Sequence, residues 1–268
     1  MIGTRSGSSL SIYGPKVGSA TDDEAASGGG PTATRDATSN RFTPLTATEW
    51  TNIGLVAPTG LWLCQEASGN ATDVIGGLVL TAAGTPIYQQ AAPTGWSRGG
   101  WGFSQIASQR FAAAAAVGPN PSTTSIMFCA YVNIKAEAGT RMIMGGGINT
   151  TEMTSARVTI TPRMQCLTVN VASTGPAADP TAVAGYQLIY VKYDRTNSAS
   201  VVYTEQEKLV GTYAAGATDG QKGFGGVLGN SFTGGICLAW MRTGASAEMS
   251  DAAVKAEMQT LGATIPWT

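Results

Sequence analysis

The stretch that decides the fold is residues 60–80, GLWLCQEASGNATDVIGGLVL. A short apolar strand at 61–64 runs into a polar turn, and a second strand begins near Leu78. The glycines at 69, 76 and 77 permit tight backbone geometry, and Ser, Asn and Asp side chains bond their own main chain in turns. The sequence therefore predicts a strand–turn–strand unit of an all-β domain.

Composition limits the classes of function. The chain has 268 residues, of which 12% are charged, and its net charge is −1. This length suits one β-domain of about 200 residues plus an appendage. The chain lacks the excess of basic residues that would indicate a nucleic-acid partner. Histidine is absent, which removes the commonest general base and the commonest transition-metal ligand.

Residues 1–45 have the composition of a linker or a disordered arm. They include the run TDDEAASGGGPTATRDATSN at 21–40 and lack the apolar surface that would offset the entropy of ordering. We expect this arm to lie across neighbouring subunits of an assembly, which would make the protein a homo-oligomer. An arm folded back on its own domain is the alternative.

Targeting signals are not recognised in the sequence. The first 18 residues contain no apolar segment of a Sec signal, and no apolar run reaches the roughly 18 residues of a membrane helix. We therefore expect synthesis in the cytoplasm without a signal peptide, and no membrane partner. A virion protein would still reach the extracellular surface through lysis, and export as cargo of another machine would also place it there.

Three further segments have recognisable patterns. The capping box at 46–49 predicts a short helix near 46–53, within a helix-and-linker segment at 46–57. In SIMFCAYVNI (125–134) both alternating sets are largely apolar, which predicts a central strand covered on both faces. Ser250 is placed to cap a second helix, at 250–261, which has one apolar face.

Segments along most of the chain resemble the laminin G-like and concanavalin A-like jelly rolls. They are the turn pattern E-x-S-G-N…D…G in residues 66–77, the strand QLIYVKYD (187–194) followed by a hairpin, and the closing strand GICLAWM (235–241) after FTGG. Gln187 and Leu188 stand where the family often has histidines. The resemblance covers about residues 58–262 and implies a jelly-roll sandwich of two antiparallel sheets over 58–268.

The turn also contains candidate metal ligands. Glu66, Asn70 and Asp73 could hold Ca²⁺ together with main-chain carbonyls, because hard cations take oxygen ligands. The alternative is that the two carboxylates simply bond turn amides. No other cofactor is expected.

An enzyme is not expected. Jelly-roll glucanases place their carboxylates on one strand in an E-x-D-x-(x)-E pattern, which this sequence lacks. Glu205 and Glu207 alternate but lie at a predicted hairpin tip. Catalysis by a Ser or Cys nucleophile would need a histidine base, which the chain lacks, and no G-x-S-x-G motif occurs.

Aromatic residues could form a platform for a sugar. Trp96 and Arg98, in the loop PTGWSRGG (93–100), and Trp101 are the candidate ligand-binding residues. For most aromatics, including Trp101, lying inside a predicted strand makes core packing the simpler interpretation. Trp267 is expected to anchor the end of the chain or a neighbouring subunit.

Cys64, Cys129, Cys166 and Cys237 are widely spaced and lie in apolar runs, which favours buried thiols. Disulfides across the sandwich are the alternative.

Together these features lead to two hypotheses about function. The first is a non-enzymatic virion structural protein, a capsid decoration protein of a phage or phage-like particle, anchored to other virion subunits by residues 1–45. The alternative is a carbohydrate-binding adhesin or tail-fibre module that recognises a cell-surface glycan.

Overall fold

The structure is a computed structural model. It describes residues 34–36, 41–43, 47–91, 99–104, 109–114, 117–120, 123–135, 141–146, 155–158, 164–168, 171–174, 185–211, 221–226 and 231–268. The strands are β1 (Thr34–Asp36), β2 (Arg41–Thr43), β3 (Gly60–Trp62), β4 (Ala71–Thr72), β5 (Val79–Ala83), β6 (Ile87–Gln90), β7 (Gly100–Phe103), β8 (Arg110–Ala113), β9 (Ile126–Ile134), β10 (Arg141–Gly146), β11 (Ser155–Val158), β12 (Met164–Thr168), β13 (Val171–Thr174), β14 (Tyr186–Asp194), β15 (Ala199–Thr204), β16 (Lys208–Gly211), β17 (Lys222–Gly225) and β18 (Gly234–Thr243). The helices are α1 (Ala47–Asn52) and α2 (Asp251–Thr260), with a short 3₁₀ turn at Gly244–Ala247.

The strands form two large antiparallel sheets, which confirms the predicted β-sandwich. One sheet has the order β13-β12-β11-β10-β17-β8-β5-β4, and the other has the order β16-β15-β14-β9-β18-β7-β6, with β3 added along β18. The pairs β9–β18 and β9–β14 form the centre of the second sheet. Strand β4 ends the first sheet, and β6 ends the second.

The second sheet is covered on both faces, as the sequence predicted for β9. Its inner residues, such as Phe128 and Val132, pack in a core between the sheets. Its outer residues, such as Cys129 and Tyr131, pack in a second core with Trp50 of α1 and Val254 of α2. The two helices therefore close the outer face of this sheet.

Both helices lie where the sequence placed them. In α2 the hydroxyl of Ser250 accepts a hydrogen bond from the Ala253 amide at 3.2 Å, which is an N-cap. Strands β11 and β12 pair in antiparallel register, with Ala156 opposite Cys166. No helix in the described ranges is both long enough and apolar enough to cross a membrane.

The segment predicted to be an arm contains a short hairpin. Strands β1 and β2 pair in antiparallel register, with Arg35 opposite Phe42. Low-complexity composition did not predict this pairing. Residues 1–33 lie outside the described residues.

The described cysteines match the interpretation that they are buried thiols. Cys64, Cys129 and Cys237 are buried thiols. Burial raises the pKa of the Cys129 thiol well above its ordinary value. The side chain of Cys166 lies outside the described part of the chain.

Candidate functional site: a loop between the two sheet edges

The candidate calcium ligands lie at the side of the sandwich where β4 and β6 end their sheets. The chain crosses from the first sheet to the second between β5 and β6. A loop at 65–70 precedes the two-residue strand β4, and a turn at 73–78 follows it. These two segments are the polar part of the stretch that decides the fold.

Asp73 holds the turn at 73–78 from inside. Its side chain is 4% exposed. Oδ1 accepts hydrogen bonds from the amides of Ile75 at 2.7 Å and Gly76 at 2.6 Å, and Oδ2 accepts one from the Leu78 amide at 2.6 Å. Gly77 has a φ of +73°, which favours glycine. This carboxylate is therefore committed to the backbone of its own turn.

Glu66 fastens the loop to the core through an indole. Its Oε2 accepts a hydrogen bond from Nε1 of Trp101 at 2.7 Å. Trp101 is fully buried, and its ring stacks on Phe111 with centroids 4.3 Å apart. The ring of Trp101 therefore offers no open face to a sugar, and core packing describes this residue.

Asn70 and Tyr88 join the same loop to β5 and β6. Oδ1 of Asn70 accepts a hydrogen bond from the Ala82 amide at 3.1 Å, and the Tyr88 hydroxyl donates one to the carbonyl of Gly69 at 2.7 Å. The pKa of the Tyr88 hydroxyl is raised by burial and by the Glu66 charge, despite the lowering effect of its bond to Gly69.

We define the loop surface as residues 65–70 together with Tyr88, which bonds the loop, and with Thr81 and Gln89, which are the chain neighbours of the bonded residues Ala82 and Tyr88. Ser68, Asn70, Thr81 and Gln89 are exposed, and Tyr88 is half-buried. The loop is thus attached at several points below and open to solvent above. Such a surface can present hydroxyl and amide groups in fixed positions.

Calcium binding at Glu66, Asn70 and Asp73 stays a prediction. The three side chains each have an oxygen bonded to an N–H donor, and both Asp73 oxygens are used in this way. For Asp73 the structure matches the alternative interpretation, in which the carboxylate bonds turn amides. Within the described ranges, His, Cys, Asp and Glu side chains form no group of three or more that could hold a metal ion.

The other candidate residues fall into two groups. Trp96 and Arg98 lie outside the described residues, so their binding role also stays a prediction. Other aromatic residues of the strands are also buried, with Tyr131, Tyr190 and Trp240 in the second core and Tyr193 1% exposed. Trp267 anchors the end of its own chain, because its Nε1 donates to the Thr204 carbonyl at 2.9 Å.

The two glutamates at the β15–β16 hairpin are buried. Glu205 and Glu207 are 8% and 6% exposed. Oε1 of Glu205 accepts a hydrogen bond from the Leu188 amide at 2.6 Å. This carboxylate therefore secures β14 to the hairpin.

Sequence reasoning missed a buried ion pair beneath α2. NH1 and NH2 of Arg242 lie 2.8 Å from Oε1 and Oε2 of Glu257, and both residues are at most 2% exposed. The Tyr190 hydroxyl also donates to Glu257 at 2.8 Å. A signal was present, since Glu257 lies at helical spacing among the apolar residues Val254, Met258 and Leu261. A carboxylate on an apolar helix face needs a buried partner.

Comparison with known proteins identifies the class of fold. The sequence matches no protein-family model and none of the curated proteins compared with it. Among solved structures, a Trypanosoma rangeli sialidase in complex with the inhibitor DANA is 13% identical, with a TM-score of 0.55 over 78% of this chain and 34% of that chain. The binding domain of botulinum neurotoxin DC in complex with rat synaptotagmin II is 10% identical, with a TM-score of 0.50 over 76% of this chain and 52% of that one.

These likenesses show the fold alone. The chain spans about a third of the length of the sialidase and about half of the toxin domain. They are consistent with the concanavalin A-like jelly roll that the resemblance implied. The laminin G-like resemblance and the virion assignment stay predictions.

Proposed function

We propose that this chain is a non-enzymatic recognition protein that binds a carbohydrate through the loop surface. The observation that carries the proposal is the way the loop is built. Glu66, Gly69 and Asn70 are each bonded to a different element beneath them, while Ser68 and Asn70 are exposed. A loop held in one conformation loses little entropy when it binds a ligand.

The chemistry of the loop surface suits a sugar. Because Oδ1 of Asn70 accepts from the Ala82 amide, its NH₂ group is directed away from that bond and can donate to a ligand hydroxyl. Ser68, Thr81 and Gln89 add hydroxyl and amide groups that donate and accept. Fold-level support comes from the sialidase similar in fold, which was solved in complex with sialic acid.

We propose no catalytic activity because the chain lacks the residues that such activity would use. The chain has no histidine. Asp73 and Glu66 are committed to an amide cluster and an indole, which leaves no opposed pair of carboxylates across the loop surface.

Binding of the full chain to an array of neutral and charged oligosaccharides tests the proposal. Asn70→Asp keeps the acceptor for the Ala82 amide but removes the NH₂ donor, so we expect affinity for any bound glycan to fall by about tenfold, the loss of roughly one hydrogen bond to a ligand. Asn52→Asp makes the same change at an exposed site on α1 and should have no effect. No saturable binding to any glycan would contradict the proposal.

A second candidate function is favoured by the first 45 residues. Their low-complexity composition, followed by a folded body of low charge, is typical of an arm that attaches a domain to an assembly. In this candidate the chain is a virion structural protein that decorates the capsid of a phage or phage-like particle. The two functions are compatible in one molecule.

Deleting residues 1–45 tests this second candidate. The truncated chain should keep its far-UV circular dichroism and its unfolding transition, and it should lose defined oligomers or particle binding. If both chains are identical monomers by light scattering and neither binds a particle, this candidate is wrong.

A further inference from the structure

One oxygen of the Glu66 carboxylate is left open by the bonds that hold the loop. Oε2 accepts the hydrogen bond from the Trp101 indole at 2.7 Å, and Oε1 makes no hydrogen bond within the described part of the chain. Glu66 is half-buried, yet Oε1 is not among the buried polar atoms that lack a partner, so this oxygen reaches solvent. The carboxylate therefore offers an accessible acceptor on the side away from the indole.

This acceptor is held in place by the core. The Trp101 ring that fixes Oε2 is fully buried and stacks on Phe111 with centroids 4.3 Å apart. An indole N–H can only donate, so turning the carboxylate away would leave a buried donor without a partner, which is unfavourable. Binding of a ligand to the open oxygen therefore costs little conformational entropy in the protein.

A hydrogen-bond donor lies on the same short loop. The Tyr88 hydroxyl donates to the Gly69 carbonyl at 2.7 Å, and burial and the charge of Glu66 raise the pKa of that hydroxyl, so the carboxylate acts on the point where the loop meets β6. Asn70 follows Gly69 and is exposed, and its Oδ1 accepts from the Ala82 amide, which leaves its NH₂ group to donate. The loop thus presents an acceptor and a donor together.

The chemistry of a carboxylate sets what its ligand has to supply. An ionised carboxylate only accepts hydrogen bonds, and each oxygen carries two lone pairs, so Oε1 can take two donors. Adjacent hydroxyls of a sugar ring lie on neighbouring carbons, so both can reach one carboxylate. Hydrogen bonds to a charged group are roughly twice as strong as neutral ones. This contact would therefore outweigh those made by the neutral hydroxyl and amide groups of the loop surface.

We infer that Glu66 recognises two adjacent free hydroxyls of the bound saccharide, while the NH₂ group of Asn70 donates to the same sugar. The inference rests on the proposed function, since it specifies the ligand of the same site. The class of ligand is a saccharide with an unsubstituted vicinal diol. Loss or methylation of either hydroxyl removes a donor to the carboxylate.

Titration of the full chain with the methyl glycosides of glucose, galactose and mannose, and with their monodeoxy derivatives, tests the inference. For a glycoside that binds, removing either of two adjacent hydroxyls should weaken binding by at least about tenfold, the loss of one hydrogen bond to a charged group. Removing any other hydroxyl should have a smaller effect. Affinity that depends on no hydroxyl, or on two that are not adjacent, would overturn the inference.

Glu66→Gln links these hydroxyls to the carboxylate. Its carbonyl oxygen can still accept from the Trp101 indole, while an NH₂ group that cannot accept replaces Oε1. The unmodified glycoside should bind at least about tenfold more weakly, and removing the two hydroxyls should then have little further effect, because their partner is already gone. Glu248→Gln makes the same change at a carboxylate that accepts from Ser125 and Thr196, and it should alter neither the affinity nor the dependence on hydroxyls.

The indole N–H resonance of Trp101 gives a second readout that needs no variant. It should shift when the native chain binds the glycoside, because the indole and the ligand share one carboxylate. An unmoved resonance at saturation, or additive losses from Glu66→Gln and from the deoxy sugars, would overturn the role of Glu66 and leave glycan recognition standing. If no glycoside binds, this inference is wrong, and the array of oligosaccharides decides separately whether the proposed function stands.

Discussion

At the scale of single residues, the molecule uses side chains to hold backbone. Asp73 satisfies three amides of a turn that would otherwise depend on water, and Glu66 satisfies a buried indole. These bonds give the loop surface its shape. They also explain why two acidic residues close in sequence need not form a metal site.

Replacing Asp73 tests how much the turn depends on it. Asp73→Ala removes the acceptor of three hydrogen bonds and should lower the free energy of unfolding by about 2–4 kcal/mol, since bonds to a charged group are stronger than neutral ones. Urea denaturation measures the change. Asp73→Asn keeps one acceptor oxygen and should lose less. A change below about 0.5 kcal/mol in Asp73→Ala would show that water replaces the carboxylate.

Some residue roles could be predicted from the sequence and others could not. The pattern of Asp73 before Ile-Gly-Gly indicated a side chain bonding its own turn, because the partners are local. The burial of Trp101 depends on Phe111 and Glu66, which reach it from other parts of the chain. The sequence around Trp101, GWGF, is compatible with either burial or exposure.

At the scale of elements, α2 is joined to the second sheet by apolar packing and by charge. Burial disfavours the charged form of Arg242, but the carboxylate of Glu257 outweighs this effect, and the pKa of the guanidinium is raised above its ordinary value. Burial and the same carboxylate raise the pKa of the Tyr190 hydroxyl well above its usual range. The guanidinium of Arg242 therefore keeps its charge beneath α2.

Replacing one partner of this ion pair should destabilise the protein more than replacing both. Glu257→Leu leaves Arg242 buried without its partner and should destabilise the protein by about 3–5 kcal/mol. The double variant Arg242→Met/Glu257→Leu removes both charges and should recover most of that loss. Thermal or urea unfolding of the singles and the double measures the coupling. A double variant as unstable as the sum of the singles would contradict this account.

The first turn of α2 makes the protein sensitive to acid. Burial acts to raise the pKa of Asp251, but hydrogen bonds from Tyr203 at 2.7 Å and Lys208 at 2.9 Å outweigh it, and the pKa lies below its ordinary value. Such a group stabilises the fold above the unfolded-state pKa of about 3.9, and the contribution is lost as pH falls below it. Stability measured from pH 6 to pH 2 should therefore fall less steeply in Asp251→Asn than in the parent. Equal slopes would show that Asp251 does not contribute.

At the scale of the whole molecule, two sides of the sandwich differ in what covers them. Helices and the C-terminal segment close the outer face of the second sheet, where Trp267 and Lys255 fasten the chain end. At the side formed by β4, β5 and β6, loops lie in place of helices. A sandwich of two antiparallel sheets was predictable from the short strands, the turn residues and the resemblance to the jelly rolls, whereas the order of the strands was not. The second core was only partly predictable, because it depends on which face of the sandwich α1 and α2 cover.

The most direct test of the central claim is an NMR titration of the full chain with neutral and charged oligosaccharides. The account predicts amide shift changes concentrated at residues 66–70, Thr81 and Gln89, with Val210 on the opposite edge strand unaffected. Shift changes centred on β16 or on α2, or none at all with any oligosaccharide, would contradict recognition through the loop surface.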